Sequence, residues 1–314
     1  MPSPKKISIV APAFNEEENL ELFFNRSKEV LEQTSYDYEI LIIENGSTDN
    51  SLAILKKLHK EDPRLKFISL SRNFGHQGGI YCGLNYCSGD AVITMDADLQ
   101  HPHAIIPDLL KKWQEGYLIV NTKKEGGHPS LARWFSDKLY YFIINKTVGL
   151  QYSQADFRLL DKKVVQELRK MPETEKFLRG LIAWLGFKVT IVPYQVQKRL
   201  HGRTKFRGHH LINLAFQGIT SFSRFPLKLL TKLGIFFLIP STAYIIYVFY
   251  AFMRALHQED LNLLPPGWAT LSVTIVFFGA IQLLAIGILG EYIGRIYFET
   301  KRRPDYVIQE TSKL

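Results

Sequence analysis

The stretch "MDADLQHP" (95–102) sets Asp96 and Asp98 one residue apart, with Gln100 and a His-Pro step just beyond, directly after the apolar run "AVIT". Two carboxylates and an amide oxygen are hard oxygen donors. They suit Mg²⁺ or Mn²⁺, which take a few carboxylates and complete their shell with substrate phosphates. A cation so placed would neutralise a departing nucleoside diphosphate. About one D-x-D is expected by chance in a chain of this length, so the pair reads equally as a polar turn until its surroundings are known. His101 and His103 stand two apart, and no His/Cys set with zinc spacing accompanies them.

The surroundings come from the elements that must carry the pair. "ISIVAPAF" (7–14), "YEILIIE" (38–44), "LKFISLS" (65–71) and "DAVITMD" (90–96) are short, branched and apolar, as strands of a covered parallel sheet are. Helical patterns lie between and after them, at roughly 16–34, 49–60, 76–87 and 102–115. This alternation predicts a doubly wound α/β domain. Ligands of such sheets bind outside the carboxyl ends of the strands, and right-handed crossovers bring those ends to one edge. The four ends read "APAFNEEEN", "ENGSTDNS", "SRNFGHQGG" and "DADLQHP", so Asp96 and Asp98 share a rim with Asn15, Glu16, Glu44, Arg72 and Asn73. On that rim Glu44 and Asp96 can take ribose hydroxyls, while Asn15 and Glu16 can read a base edge. "NEEEN" reads equally as an acidic first helical turn, and "GSTD" as a helix cap through Ser47 or Asp49.

The whole chain, 314 residues with 46% hydrophobic and 22% charged, excludes wholesale disorder and allows one large domain or two smaller units. Its two cysteines, Cys82 and Cys87, read as core thiols of a reducing compartment. "MPSPKK" runs straight into a strand, so the first part of the chain is not expected to be secreted. The net charge of +9 concentrates in "KRLHGRTKFR" (198–207) and "KRRP" (301–304), on either side of the most apolar sequence, which favours a membrane surface over nucleic acid. Leu233–Met253 is 21 residues without a charge and Trp268–Gly290 is 23, each long enough to span a bilayer. Arg224, Lys228, Lys232, Arg295, Lys301, Arg302 and Arg303 flank the pair outside, while the turn between holds one Arg against Glu259 and Asp260. The positive-inside rule then puts both termini and the α/β domain in the cytoplasm, as a multi-pass protein of the cell membrane. Residues 206–230 read as an amphipathic helix on the membrane face, and Gly290 with Gly294 permits close helix packing.

Taken together, "VAPAFNEEENL", "ENGSTDNS", "SRNFGHQGG" and "GDAVITMDADLQHP" resemble the GT-A glycosyltransferases of inverting family two, in particular the polyprenyl-phosphate branch. That branch includes dolichyl-phosphate mannosyltransferases and bactoprenol glucosyltransferases. The resemblance continues through "ADFRLLD", "KRLHGRTKF", "GITSFSRFPLKLL" and "GEYIGRIYFETKRRPDY". It implies a GT-A domain over 1–205, a juxtamembrane region over 206–230, a two-helix transmembrane hairpin over 231–295 and a cytoplasmic tail over 296–314. It implies nucleotide recognition by Pro12, Asn15, Glu16 and Glu44, with Arg72 and Asp96 beside them, and metal binding by Asp96, Asp98 and Gln100. Acceptor phosphate would fall to Lys123, Arg133, Arg199 and Lys205. One departure is that Glu44 and Asn45 stand where the family commonly has paired Asp.

The implied activity is transfer of a sugar, most simply glucose from UDP-glucose, to polyprenyl phosphate. Mannose from GDP-mannose, an amino sugar, or a domain that only binds nucleotide are the alternatives. A lipid phosphate is largely dianionic near neutrality, its second pKa being about 6, and needs no strong base. Asp156 and Arg158 in "ADFRLL" then become orienting residues, with Asp156 as general base the lesser role. Relatives of this kind suggest self-association.

Overall fold

The computed structural model describes residues 5–125, 156–173, 177–195 and 267–313, with isolated positions between 230 and 257. The chain divides into two compact units, Met1–Ala215 with Arg302–Leu314, and Phe216–Lys301.

In the first unit, β1 (Lys6–Ala13), β2 (Asp37–Glu44), β3 (Leu65–Leu70) and β4 (Ala91–Thr94) form where the branched apolar runs predict them. Each is buried along most of its length, because helices cover both faces. The crossovers are α1 (Leu20–Glu32), α2 (Ser51–Glu61) and α3 (Gly75–Tyr86), and α4 (Ile106–Gln114) follows β4 behind a short 3₁₀ turn. Then come β5 (Ile119–Glu125), β6 (Arg158–Asp161), α5 (Lys162–Lys170), α6 (Leu178–Trp184) and β7 (Val189–Gln195). Among the described residues one sheet runs β7-β5-β6-β4-β1-β2-β3-β8.

β1 lies parallel to both β2 and β4, and β2 parallel to β3, so the four carboxyl ends share one edge. The chain runs outward from β1 to β3 on one side and returns to place β4 on the other. The topological switch, where crevices form in such sheets, therefore lies between β1 and β4. The sheet is mixed: β6 inserts antiparallel between β4 and β5.

Beyond the second unit the last residues rejoin this sheet. β8 (Ile308–Thr311) pairs antiparallel with β3, Ser312 exchanges hydrogen bonds with Phe67, and Tyr306 packs edge-on against Tyr81 and Tyr86 of α3. Reading 296–314 as a tail misses this strand. "IQET" carries no apolar alternation, and only the open edge of β3 makes a strand of it.

In the second unit, α7 (Trp268–Thr300) is a single helix of 33 residues, or about 50 Å at 1.5 Å per residue. Within its stretch Phe277–Thr300 an 18-residue window reaches a mean hydropathy of 1.6, and among the described residues this is the one helix long and apolar enough to cross a membrane. Leu271, Leu283 and Ile293 are exposed. The expected pair of spans is thus met by one such helix. Positions described within Leu233–Met253 are helical, but no continuous element is described there. The helix continues to Thr300, past the uncharged stretch that closes at Gly290 and past the expected hairpin boundary at 295, and Gly290 and Gly294 lie within it. No described atom lies within 4 Å of a side chain added at either glycine, so the expected close packing is not made by described residues of this chain.

Candidate active site

The loop after β4 carries Asp96, Asp98 and Gln100, and Leu99 within it adopts a left-handed conformation with φ of 63°. The loop after β1 does the same at Asn15, with φ of 54°. Non-glycine residues rarely adopt this conformation, and the energy is held in place by surrounding bonds. Asn15 shows how: its N–H donates to Ser47 Oγ at 3.0 Å and its Oδ1 accepts from Thr48 N–H at 2.9 Å. Glu17 accepts from Asn50 N–H at 2.9 Å, and Glu17 N–H donates to Asp49 at 3.2 Å. The first two strand ends are therefore stitched together. The same residues also make the turns read from the sequence: Leu20 N–H donates to Glu16 O at 3.1 Å as α1 begins, and Asp49 Oδ1 accepts from Ser51 N–H at 3.0 Å as α2 begins.

Asn45 and Gly46 join the third loop. Asn45 donates to Gly75 O at 2.9 Å and accepts from Phe74 N–H at 3.0 Å. Gly46, at φ of 70°, lies so close to Arg72 that a Cβ there would sit 2.4 Å from the Arg72 carbonyl carbon. Glu44 is buried, accepting from Ser47 N–H through Oε1 and from the Ser69 hydroxyl through Oε2 at 2.5 Å. Its carboxylate shapes the turn that follows it. Pro12 is half-buried at the end of β1, Glu16 accepts from Asn19 at 2.6 Å, and Arg72 is exposed with its guanidinium 4.1 Å from the Phe74 ring.

The third loop delivers His76 to the first turn of α3. Its Nε2 lies 2.6 Å from Asp96 Oδ1, while His101 Nδ1 accepts from Asp96 N–H at 3.0 Å and its ring stacks on Phe157. Burial opposes charge on both members, but their mutual attraction prevails. His76 is pushed above its ordinary value, and the Asp96 carboxyl is held well below the usual carboxylate range, with His101 and Arg179 adding to the pull. Asp98 is almost fully buried and accepts from Gln100 N–H at 3.2 Å. The Tyr194 phenol of β7 is raised by burial and by the fields of Asp96, Asp98 and Asp156. His103 belongs to the core, against Ser27 and Phe23, and burial lowers it to about 4.

Asp156 stands two residues before β6, beside the end of β4, where its backbone O accepts from the Thr94 hydroxyl at 2.6 Å. Arg179 of α6 grips its carboxylate through Nε at 2.7 Å and again through Nη2. Burial would raise the Asp156 carboxyl, and Arg179 lowers it further than that. A carboxylate engaged on both oxygens by a guanidinium suits an orienting anion better than a proton acceptor. Arg158 is 3% exposed, and its charge also acts on Asp156. Lys123 is exposed on β5, while Arg133, Arg199, Lys205, the 206–230 segment and "SLARWFSDKLYYFIIN" lie outside the described residues.

A divalent cation fits the donors of this loop: Asp96 is kept ionised, Asp98 is adjacent, and both offer hard oxygens. Among the described residues no group of three or more His, Cys, Asp or Glu side chains is arranged to hold a metal ion. Asp96 and Asp98 would hold such a cation by hard carboxylate oxygens, and Mg²⁺ and Mn²⁺ are ions that accept a few such donors. The structure adds His76, His101, Arg179 and Tyr194 to the residues picked from sequence. His76 lay in a strand-end cluster already noticed, whereas "FLRGLIAW" gives no sign that Arg179 faces Asp156.

Residues 8–169 match the family described as Glycosyl transferase family 2, and residues 225–296 match the GtrB C-terminal hairpin. The prophage bactoprenol glucosyl transferase homolog of Escherichia coli (strain K12) is 40% identical over 314 residues, covering 98% of this chain and all of that protein. The bactoprenol glucosyl transferase of Shigella phage SfV is 40% identical over 314 residues, covering 97% of this chain and 98% of its own. Among solved structures, glucosyl-3-phosphoglycerate synthase from Mycobacterium tuberculosis aligns with a TM-score of 0.49 at 19% identity, over 69% of this chain and 78% of that one.

Proposed function

The chain belongs to glycosyl transferase family 2, and from that premise we propose that it transfers glucose from UDP-glucose to polyprenyl phosphate at the cytoplasmic face of a membrane. The observation that carries this reading is the likeness, along nearly the full length of both chains, to proteins named bactoprenol glucosyl transferase. The strand-end rim supplies the chemistry. The membrane attachment is a two-helix hairpin over 231–295, supported by the match of residues 225–296 and by the long apolar helix α7.

A phosphate oxygen of the acceptor attacks C1 of the sugar. The bond from C1 to the donor's β-phosphate oxygen breaks, and the electron pair leaves with UDP. The configuration at C1 inverts. Because the acceptor is a dianion near neutral pH, no group of the protein needs to remove a proton from it. The protein must hold two anions in line and stabilise the one that departs. Asp96, Asp98 and Gln100 are the residues that would hold Mg²⁺ or Mn²⁺, which when bound supplies positive charge to the diphosphate. Pro12, Asn15 and Glu16 border the nucleoside, with Arg72 beside them. Glu44 supports the ribose side by shaping the turn to Ser47. Lys123, Arg133, Arg199 and Lys205 draw the acceptor phosphate, and Asp156 with Arg158 orients the reacting groups.

The test uses the full chain in detergent, Mg²⁺ or Mn²⁺, polyprenyl phosphate and labelled UDP-glucose, GDP-mannose and UDP-N-acetylglucosamine. Labelled lipid from UDP-glucose is expected. Label from GDP-mannose alone would move the donor, and no labelled lipid with any donor would sink the enzymatic reading.

A further inference from the structure

Three elements of separate origin meet behind the donor site. The loop after β4 brings Asp96, the first turn of α3 brings His76 and Gln77, and α6 brings Arg179. Asp156 joins them: Arg179 holds both of its oxygens, and Gln77 Nε2 reaches Oδ1 at 3.4 Å. His76, next to Gln77 in the chain, holds Asp96 at 2.6 Å. The arrangement thus runs without a break from a guanidinium on α6 to the carboxylate at the diphosphate side of the site. The far side of α3 and α6 closes over Ile80, Leu84, Leu178 and Ile182, which line a small pocket with Gln77 and Asp156.

We propose that Arg179 is a positioning residue for the transfer reaction, acting through Asp156 and the first turn of α3 to hold Asp96 where the donor diphosphate departs. This rests on the glucosyltransferase reading above. A guanidinium fixes a carboxylate in one plane through two parallel bonds, and an ammonium on a flexible stem does not. Arg179→Lys therefore keeps the charge and removes the geometry. Asp156→Asn keeps the shape and removes the charge. The titratable groups acting on Asp156 are Arg179 on α6, Arg158 on β6, His76 on α3 and Tyr194 on β7.

The test compares wild type, Arg179→Lys, Asp156→Asn and the double variant as full-length chains. Lipid labelling is measured against donor and acceptor concentration and across pH, and calorimetry follows UDP with Mn²⁺. Each single variant is expected to lose about 10- to 100-fold in kcat, as a small misplacement of reacting groups does, with both KM values little changed. UDP affinity near wild type would show that the variants are folded. The double variant should be no slower than the slower single one, because both act through one contact. The acid limb of the rate profile should keep its position in Asp156→Asn.

An Arg179→Lys rate within twofold of wild type would overturn the proposal. So would losses that multiply in the double variant, UDP affinity lost in step with rate, or an acid limb that vanishes in Asp156→Asn, which would make Asp156 a proton acceptor. Wild-type protein that labels no lipid would refute the parent reading and this inference with it, and is recognised by the failure of the unmutated chain.

Discussion

Replacing Gly46 by alanine tests whether the donor rim depends on close approach between the second and third strand-end loops. Two terms add. The residue sits at φ of 70°, where a side chain costs about 1–2 kcal/mol. The new Cβ would also lie 2.4 Å from Arg72 C, 2.6 Å from Arg72 Cα and 2.8 Å from Asn73 N. All three are backbone atoms, so no rotamer change relieves the overlap, and overpacking of this kind typically adds about 1–3 kcal/mol. The sum is roughly 2–5 kcal/mol, or on the order of 4–20 °C in Tm for a domain of this size.

Gly116 supplies the control, with φ of 89° and nothing within 4 Å of an added Cβ. Gly116→Ala should cost only the conformational part, about 1–2 kcal/mol. Because Gly46 lies in the turn between Glu44 and Ser47, which is bonded to Asn15, the strain in Gly46→Ala should reach the nucleoside side of the rim. UDP affinity by calorimetry is therefore expected to fall at least tenfold in Gly46→Ala and to stay unchanged in Gly116→Ala. Equal Tm losses in the two variants, with UDP affinity intact in both, would refute the reasoning.

Gly83 lets α3 lie on β1, since an added Cβ would fall 2.2 Å from Val10 Cγ1. Gly83→Ala should destabilise by about 1–3 kcal/mol, and Val10→Ala should relieve part of it, so strictly additive losses by urea titration would contradict this packing. Glu39 is buried among Ser8 Oγ at 2.6 Å, Ser88 N–H at 2.7 Å and Lys6 Nζ at 2.9 Å. Burial alone would raise its carboxyl, yet these partners lower it from 4.5 to about 2. With the folded value below the unfolded one, its contribution of about 3 kcal/mol is complete above pH ~4.5 and lost as pH falls toward ~2. Glu39→Gln should flatten stability over that window, measured by denaturant midpoints against pH. His103, lowered by burial, loses its contribution earlier, as pH falls from about 6.5 through about 4, and His103→Phe should remove that limb alone. Asp98→Ala is expected to reduce lipid labelling at least 100-fold and to abolish Mn²⁺-dependent UDP binding, and retention of either would remove Asp98 from the metal site. Lys205→Ala should raise the acceptor KM more than the donor KM in the same assay.

Local pattern settles what local forces control. Branched apolar runs flanked by Gly, Asn and Asp and alternating with helical patterns read as covered strands, and chirality of the crossover then sends all four ends to one edge. Asp96, Asp98, Asn15 and Glu44 were therefore recognisable as neighbours before any coordinate was known. What those neighbours do to one another was not. Glu44 turns inward to Ser47 and Ser69, and Asn45 becomes the clasp between two loops. Asp96 is claimed by His76, twenty residues upstream, and Asp156 by Arg179, twenty-three residues downstream. Such pairings depend on which helix turn faces which strand end, a matter of packing that no spacing in the chain declares. The same holds for β6 and β8. Four residues with no periodicity become a strand because an existing edge offers them hydrogen bonds, and that edge exists only in the folded sheet.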